Sequence, residues 1–147
     1  MLPRFARGKF SPKNREKYVG TKTPTYRSSW EAAFMRFCDN HPSISKWASE
    51  SIKIPYVNPL TGKNTIYWPD FFIVYTDKRG KNRAELIEIK PSNQTGFSME
   101  GKSIHTQKAS VVNQAKWEAA YRWSKGKGIK FRVVTEHEIF SNTVKRK

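Results

Sequence analysis

The sequence is short of the features that mark several large classes of protein. A single cysteine, Cys38, in 147 residues excludes an intrachain disulfide and any cysteine-based zinc spacing. The longest apolar run is Phe71–Tyr75, far below the ~20 residues that a membrane-spanning helix needs. The first residues, Met-Leu-Pro-Arg-Phe-Ala-Arg, contain no apolar signal region, so export by that route is not expected. Three histidines lack the mutual spacing of metal ligands or of a catalytic triad, and no segment repeats. Acidic residues are scarce, with 12 Asp and Glu against 28 Lys and Arg. The chain is expected to be soluble and cytosolic, with no membrane role.

What is present is positive charge and aromatic surface. The net charge is +16 and the isoelectric point about 10.1, a statement about partners rather than fold, and nucleic acid is the commonest such partner. Five Trp and nine Phe give the chain enough apolar bulk to pack, unlike a disordered basic tail. The length fits one domain with a sizeable core. Residues 1–26 carry Arg4, Arg7, Lys9, Lys13, Arg15, Lys17 and Lys22 against one acid, Glu16, broken by Pro and Gly without periodicity. This stretch is expected to be a basic N-terminal arm, with residues 27–147 forming the single folded domain. Arg4, Arg7 and Lys9 of the arm, and Arg27 just after it, are candidate DNA contacts; a solvated leader is the plainer alternative for the arm.

The richest stretch is 67–91. Two apolar runs flank Asp77-Lys-Arg-Gly80, a turn because Gly adopts positive φ at little cost. A β-hairpin follows. Pro69-Asp70 opens the first strand, where the missing proline N–H does no harm. On the second strand, a period of two places Glu88 and Lys90 on one face, with Ile87 and Ile89 directed into a core. Asp70 and Glu88-Ile-Lys90 then converge at one edge of the sheet. Hard divalent cations take oxygen ligands, and a metal-activated water attacking a phosphate is oriented by a nearby cation.

Around this hairpin, Arg27–Asn40 is predicted to be a helix, with Trp30, Phe34, Phe37 and Cys38 on its apolar stripe. Glu31 has two readings: the third position of a Ser28-x-x-Glu31 capping box, or a carboxylate facing the hairpin site. His41-Pro42 ends the helix. Ser45–Val57 is predicted to be one strand, with Glu50 a secondary site candidate, and residues 58–64 a turn. Residues 91–109, containing His105, are predicted to be a long loop able to close over substrate. Ser110–Lys125 is a second helix, stopped by Gly126 and Gly128. Ile129–Thr135 is a further strand, and Thr135-x-x-Glu138 opens a short final helix. The order α, three strands, α, β, α is that of an α/β sandwich.

Pro69-Asp70, seventeen residues, then Glu88-x-Lys90 resembles the PD-(D/E)xK (restriction-endonuclease-like) superfamily, whose core is a central mixed β-sheet flanked by helices. Longer blocks sharpen the match. Tyr26-Arg-Ser-Ser-Trp-Glu31, Trp47-Ala-Ser-Glu-Ser-Ile-Lys-Ile-Pro-Tyr56, Tyr67-Trp-Pro-Asp-Phe-Phe72, Leu86-Ile-Glu-Ile-Lys-Pro91, Lys116-Trp-Glu-Ala-Ala120 and Gly128-Ile-Lys-Phe-Arg-Val-Val-Thr-Glu136 occur in family order. From about Lys17 to Glu138 the chain is similar to the head-completion nucleases of tailed bacteriophages.

The resemblance implies a metal-dependent DNA endonuclease, a phosphodiester hydrolase of low sequence specificity, acting at the portal or neck once packaging ends. Glu31, Asp70 and Glu88, with the carbonyl of Ile89, would hold Mg²⁺ (Mn²⁺ as substitute), and Lys90 would orient the attacking water. Gln114 or Lys116 on the second helix would approach the scissile phosphate. DNA and phage portal or neck proteins would be the partners, in the host cytoplasm during assembly or in the virion neck. Two rivals use the same charge: a non-catalytic structural head protein that binds DNA, and a junction-resolving nuclease of the same superfamily.

Overall fold

The computed structural model describes residues 7–92 and 103–138. Arg4 and the middle of the expected 91–109 loop lie outside those residues. The order is β1 (Gly8–Lys9), β2 (Thr25–Tyr26), α1 (Ser29–Asn40), β3 (Ile44–Ser49), β4 (Ile54–Val57), β5 (Asn64–Tyr67), β6 (Phe71–Thr76), β7 (Asn82–Ile89), α2 (Ile104–Lys125) and β8 (Lys130–Val134). The central sheet runs β3-β6-β7-β8. It is mixed: β3, β6 and β7 are antiparallel, and β8 lies parallel to β7. The α/β class and the mixed sheet flanked by helices are as expected.

The period of two divides the sheet into two faces. Phe71, Ile73, Ile87, Ile89 and Val134 join Phe34, Met35 and Cys38 of α1 around Trp47. On the opposite face Leu86 packs with Ala119 and Ala120 of α2 and with Ile54 and Tyr67 of the β4–β5 ribbon. Removing a side chain of this size from water stabilises by about 1.5–3 kcal/mol, so both helices are fixed by burial. Cys38 is a fully buried small hydrophobe.

The turn between β6 and β7 forms where expected, with Gly80 at φ +81° and the Asp77 carboxylate accepting the N–H groups of Arg79 and Lys81. Helix α1 is capped by Ser28, whose hydroxyl accepts the Glu31 N–H at 3.1 Å.

Three expectations are corrected. Ser45–Val57 is not one strand: the chain leaves the main sheet at Glu50, which adopts φ +46° while its N–H still donates to the Asp70 carbonyl. That left-handed turn sends β4 away to pair with β5, so Pro55 sits in a two-stranded ribbon where its missing N–H is tolerated. Part of the expected 58–64 turn belongs to β5, which begins at Asn64. Helix α2 starts at Ile104 under a Ser103 cap, so His105 is helical and exposed rather than in a loop.

The leader makes contacts of its own. From Gly8 onward it is tied to the body: the buried Asp39 carboxylate accepts the N–H groups of Lys13 and Asn14. Lys17 Nζ donates to the carbonyls of Asp39 and His41, a cation placed at the negative end of α1. Phe10 and Tyr18 pack edge-on against Trp47.

Candidate active site

Strands β6 and β7 run antiparallel, so the start of one meets the end of the other. Phe71 is registered with Ile87, which brings Asp70, the residue before β6, opposite Glu88 and within reach of the Ile89 N–H at the end of β7. The Asp70 carboxylate accepts the Ile89 N–H at 2.8 Å. Strand parity turns Glu88 to the α2 side, where it is 8% exposed and accepts the Tyr67 hydroxyl at 2.6 Å. Lys90 follows; its Nζ lies 3.9 Å from the second Glu88 oxygen. Glu31 approaches from the first turn of α1, with one oxygen accepting the Arg27 N–H at 3.1 Å. Both readings of Glu31 therefore have a physical basis. It closes the helix start one residue earlier than a standard capping box, and it lies within electrostatic reach of Asp70, Glu88 and Lys90.

The electrostatics are those of carboxylates crowded in a desolvated edge. Burial, and then the charges of Glu88 and Glu31, hold Asp70 well above its ordinary pKa, against the Ile89 N–H and Lys90. Glu88 is also raised, by burial first, with Tyr67, Lys90 and Lys116 opposing. Burial raises Glu31, and Arg27 counters it. The Tyr67 phenol is held protonated by burial and by the Glu88 charge. Three carboxylates whose ionisation is suppressed first by burial, and for Asp70 and Glu88 also by a neighbouring carboxylate, form a site that a cation would relieve.

Among the described residues, no three His, Cys, Asp or Glu side chains close into a ready-made metal cage. Each of the three carboxylates is instead turned to a donor of its own: Ile89 N–H, Tyr67 hydroxyl or Arg27 N–H. The set still suits a hard divalent cation by its chemistry. It offers only oxygens, excess negative charge, and one oxygen on each of Asp70 and Glu31 that accepts no hydrogen bond among the described residues.

Other candidates separate. Lys116 lies with its Nζ 5.7 Å from the Tyr67 ring, close enough to favour the ionised form of Glu88. Arg27 pairs with Glu50 at 2.9 Å and so borders the site through Glu31. Gln114 lies on a different face of α2, in a shallow surface hollow with Trp117, Tyr121 and Phe131. No hydrogen bond or ion pair among the described residues ties Arg7 or Lys9 to the four central side chains. Tyr67 is the residue that sequence reasoning passed over. No period in the sequence signals it: Tyr67 lies in the β4–β5 ribbon and meets Glu88 only through the packing of that ribbon on the sheet.

With this geometry in view, two comparisons bear on the chain. The TnsA-like endonuclease N-terminal family matches residues 41–136, a span that holds β3 through β8 and the Asp70, Glu88 and Lys90 positions. The head completion nuclease of Enterobacteria phage T4 is 37% identical over 141 residues, covering 88% of this chain and 90% of that protein. The chain belongs to the TnsA-like endonuclease family of PD-(D/E)xK fold, among the head-completion nucleases of tailed bacteriophages.

Proposed function

We propose that the chain is a metal-dependent DNA endonuclease that hydrolyses phosphodiesters at the Asp70–Glu88–Lys90 edge during head completion, the step named for its phage T4 relative. One observation carries the reading. The buried Glu88 carboxylate of β7 and the half-buried Asp70 carboxylate just before β6 meet at one sheet edge, where Asp70 accepts the Ile89 N–H at 2.8 Å and Lys90 Nζ lies 3.9 Å from Glu88, with Glu31 within electrostatic reach. Gathering carboxylates against their own desolvation costs stability, a cost with a purpose where a cation is to be bound.

Asp70, Glu88 and the Ile89 carbonyl are the proposed cation ligands, with Glu31 completing or shaping a second position. Bound there, Mg²⁺ or Mn²⁺ would supply Lewis-acid stabilisation of the phosphate charge and a lowered pKa for the attacking water. Lys90 orients that water in line with the phosphorus. As the water oxygen bonds to phosphorus, the bond to the leaving oxygen breaks; the proton the water gives up passes to solvent, and a solvent water protonates the departing oxygen. Tyr67 holds one Glu88 oxygen and leaves the other facing Lys90.

The +16 charge supplies affinity through counterion release, independent of sequence. Among the described residues neither helix carries the pattern of a base-reading element, which supports low sequence specificity. Portal or neck proteins are the proposed partners, and the host cytoplasm the proposed compartment during assembly.

Supercoiled plasmid is the test. Nicking with Mg²⁺ that stops in EDTA is expected; cleavage indifferent to EDTA, or binding without cleavage under Mg²⁺ and Mn²⁺, would overturn the reading in favour of a structural DNA-binding protein.

A further inference from the structure

Trp68 has no part in the chemistry above, yet it sits at its threshold. Tyr67 turns inward to Glu88, Pro69 is fully buried, and Asp70 begins the site. Between them the Trp68 indole remains partly exposed. Two ammonium groups approach it: Lys22 Nζ at 4.8 Å and Lys53 Nζ at 5.8 Å from the ring centroid. They come from the leader and from the link between β3 and β4, so three stretches remote in sequence converge on one ring.

Cation–π attraction at an exposed site is only about 0.5–1 kcal/mol per contact, and two like charges at one ring repel each other. Among the described residues no carboxylate forms an ion pair with Lys22 or Lys53. Both ammonium groups therefore remain available to an anion. Lys22 also borders an open hollow of about 410 Å³ lined in part by Phe10, Arg15, Tyr18 and Thr21, which extends the positive, aromatic surface along the leader.

A partly exposed indole with two lysine ammonium groups over its ring suits a nucleotide whose phosphates draw those cations off the ring and whose base then stacks in their place. In a duplex the base faces are already stacked on one another. We infer that Trp68, with Lys22 and Lys53, is a stacking platform for an unpaired nucleotide beside the scissile phosphate. The substrate taken up there is single-stranded or frayed DNA. This deepens the nuclease reading and rests on it only for where the strand leads next.

The test is equilibrium binding of the full chain in EDTA, so that turnover plays no part. The probes are a fluorescein-labelled 12-nucleotide single strand and the blunt duplex of the same sequence. Trp68→Ala is expected to weaken single-strand binding roughly tenfold, the usual scale for a base stacked on an aromatic ring, and duplex binding less than twofold. Trp68→Phe is expected to retain most single-strand affinity, which separates stacking from misfolding. Lys22→Ala and Lys53→Ala are each expected to reduce the salt slope for the single strand by about 0.7.

Equal losses for both probes, or no loss for either, would overturn the platform whatever the nuclease activity. A single-strand-selective loss in a protein that cleaves nothing under Mg²⁺ would uphold the platform and overturn the nuclease reading.

Discussion

The Asp70 carboxylate accepts the backbone N–H of Ile89 at 2.8 Å, which pins the start of one strand to the end of its neighbour and sets the acid among Glu31, Glu88 and Lys90. An amide at position 70 keeps an oxygen acceptor for that N–H but removes a charge that burial and two neighbouring carboxylates disfavour. Asp70→Asn is expected to reduce plasmid cleavage by more than the roughly 100-fold that outer-shell partners of a metal cost. Its metal-free melting temperature is expected to rise, by about 2–4 °C for each kcal/mol of repulsion relieved. Asp70→Ala, which leaves the N–H without its acceptor, is expected to lose the same activity without that gain. Thermal melts in EDTA beside a nicking assay separate these outcomes.

The three site carboxylates also set a pH dependence. Asp70, Glu88 and Glu31 are all raised in the folded chain above the ordinary 3.8 for Asp and 4.5 for Glu. Between the ordinary and the raised values the folded state holds more protons than the unfolded one, so this cluster's contribution to stability falls as pH rises through that window. In EDTA the wild type is expected to lose stability relative to Asp70→Asn on going from pH 4 upward. Mg²⁺ is expected to restore it, and more at high pH than at low. Paired melts of the two proteins across pH, with and without Mg²⁺, measure both effects.

Glu31 closes the start of α1 and is also a proposed site carboxylate, and one substitution separates the two. Glu31→Gln retains an oxygen to accept the Arg27 N–H, so the helix start keeps its closure and stability is expected to change by less than about 0.5 kcal/mol. The carboxylate charge facing Asp70 and Glu88 is lost. Cleavage is expected to fall at least tenfold at limiting Mg²⁺ and to recover in part as Mg²⁺ is raised. Full activity at every Mg²⁺ concentration would confine Glu31 to capping.

Tyr67 donates to a Glu88 oxygen at 2.6 Å in a buried setting. Tyr67→Phe strips that donor from a charged acceptor and is expected to cost about 1–3 kcal/mol of stability. Because the Tyr67 hydrogen bond lowers the Glu88 pKa, its loss raises that pKa further. The acid limb of the pH profile of kcat/KM is expected to move to higher pH, with the alkaline limb little changed.

Legibility in the sequence followed the range of the interactions involved. The β6–β7 hairpin, the parity of Glu88 against Ile87 and Ile89, and the Ser28 cap are local patterns with a fixed period, and each could be read directly. The break at Glu50 could not, because a left-handed residue is signalled by Gly or Asn, and here a Glu is held at φ +46° by its long-range hydrogen bond to the Asp70 carbonyl. The first turns of α2 were hidden because Ile104–Ala109 is largely exposed and carries no apolar stripe. The docking of the leader depends on Asp39, some 25 residues away from the N–H groups it accepts. Nothing in a basic, aperiodic stretch announces such a partner. In the site, Asp70, Glu88 and Lys90 were visible as a spaced motif, whereas Tyr67 is recognisable only once its strand is known to face Glu88.

The most direct measurement follows DNA binding and plasmid nicking side by side for the wild type, Asp70→Asn and Lys90→Ala at fixed Mg²⁺. The expected result is that all three bind DNA within a few-fold of one another. Asp70→Asn should lose cleavage as above, and Lys90→Ala should lose roughly 100- to 1000-fold, the scale of a group that positions the reacting water. Cleavage by Lys90→Ala or Asp70→Asn at the wild-type rate would contradict the account, and would place the chemistry somewhere other than the edge where β6 begins and β7 ends.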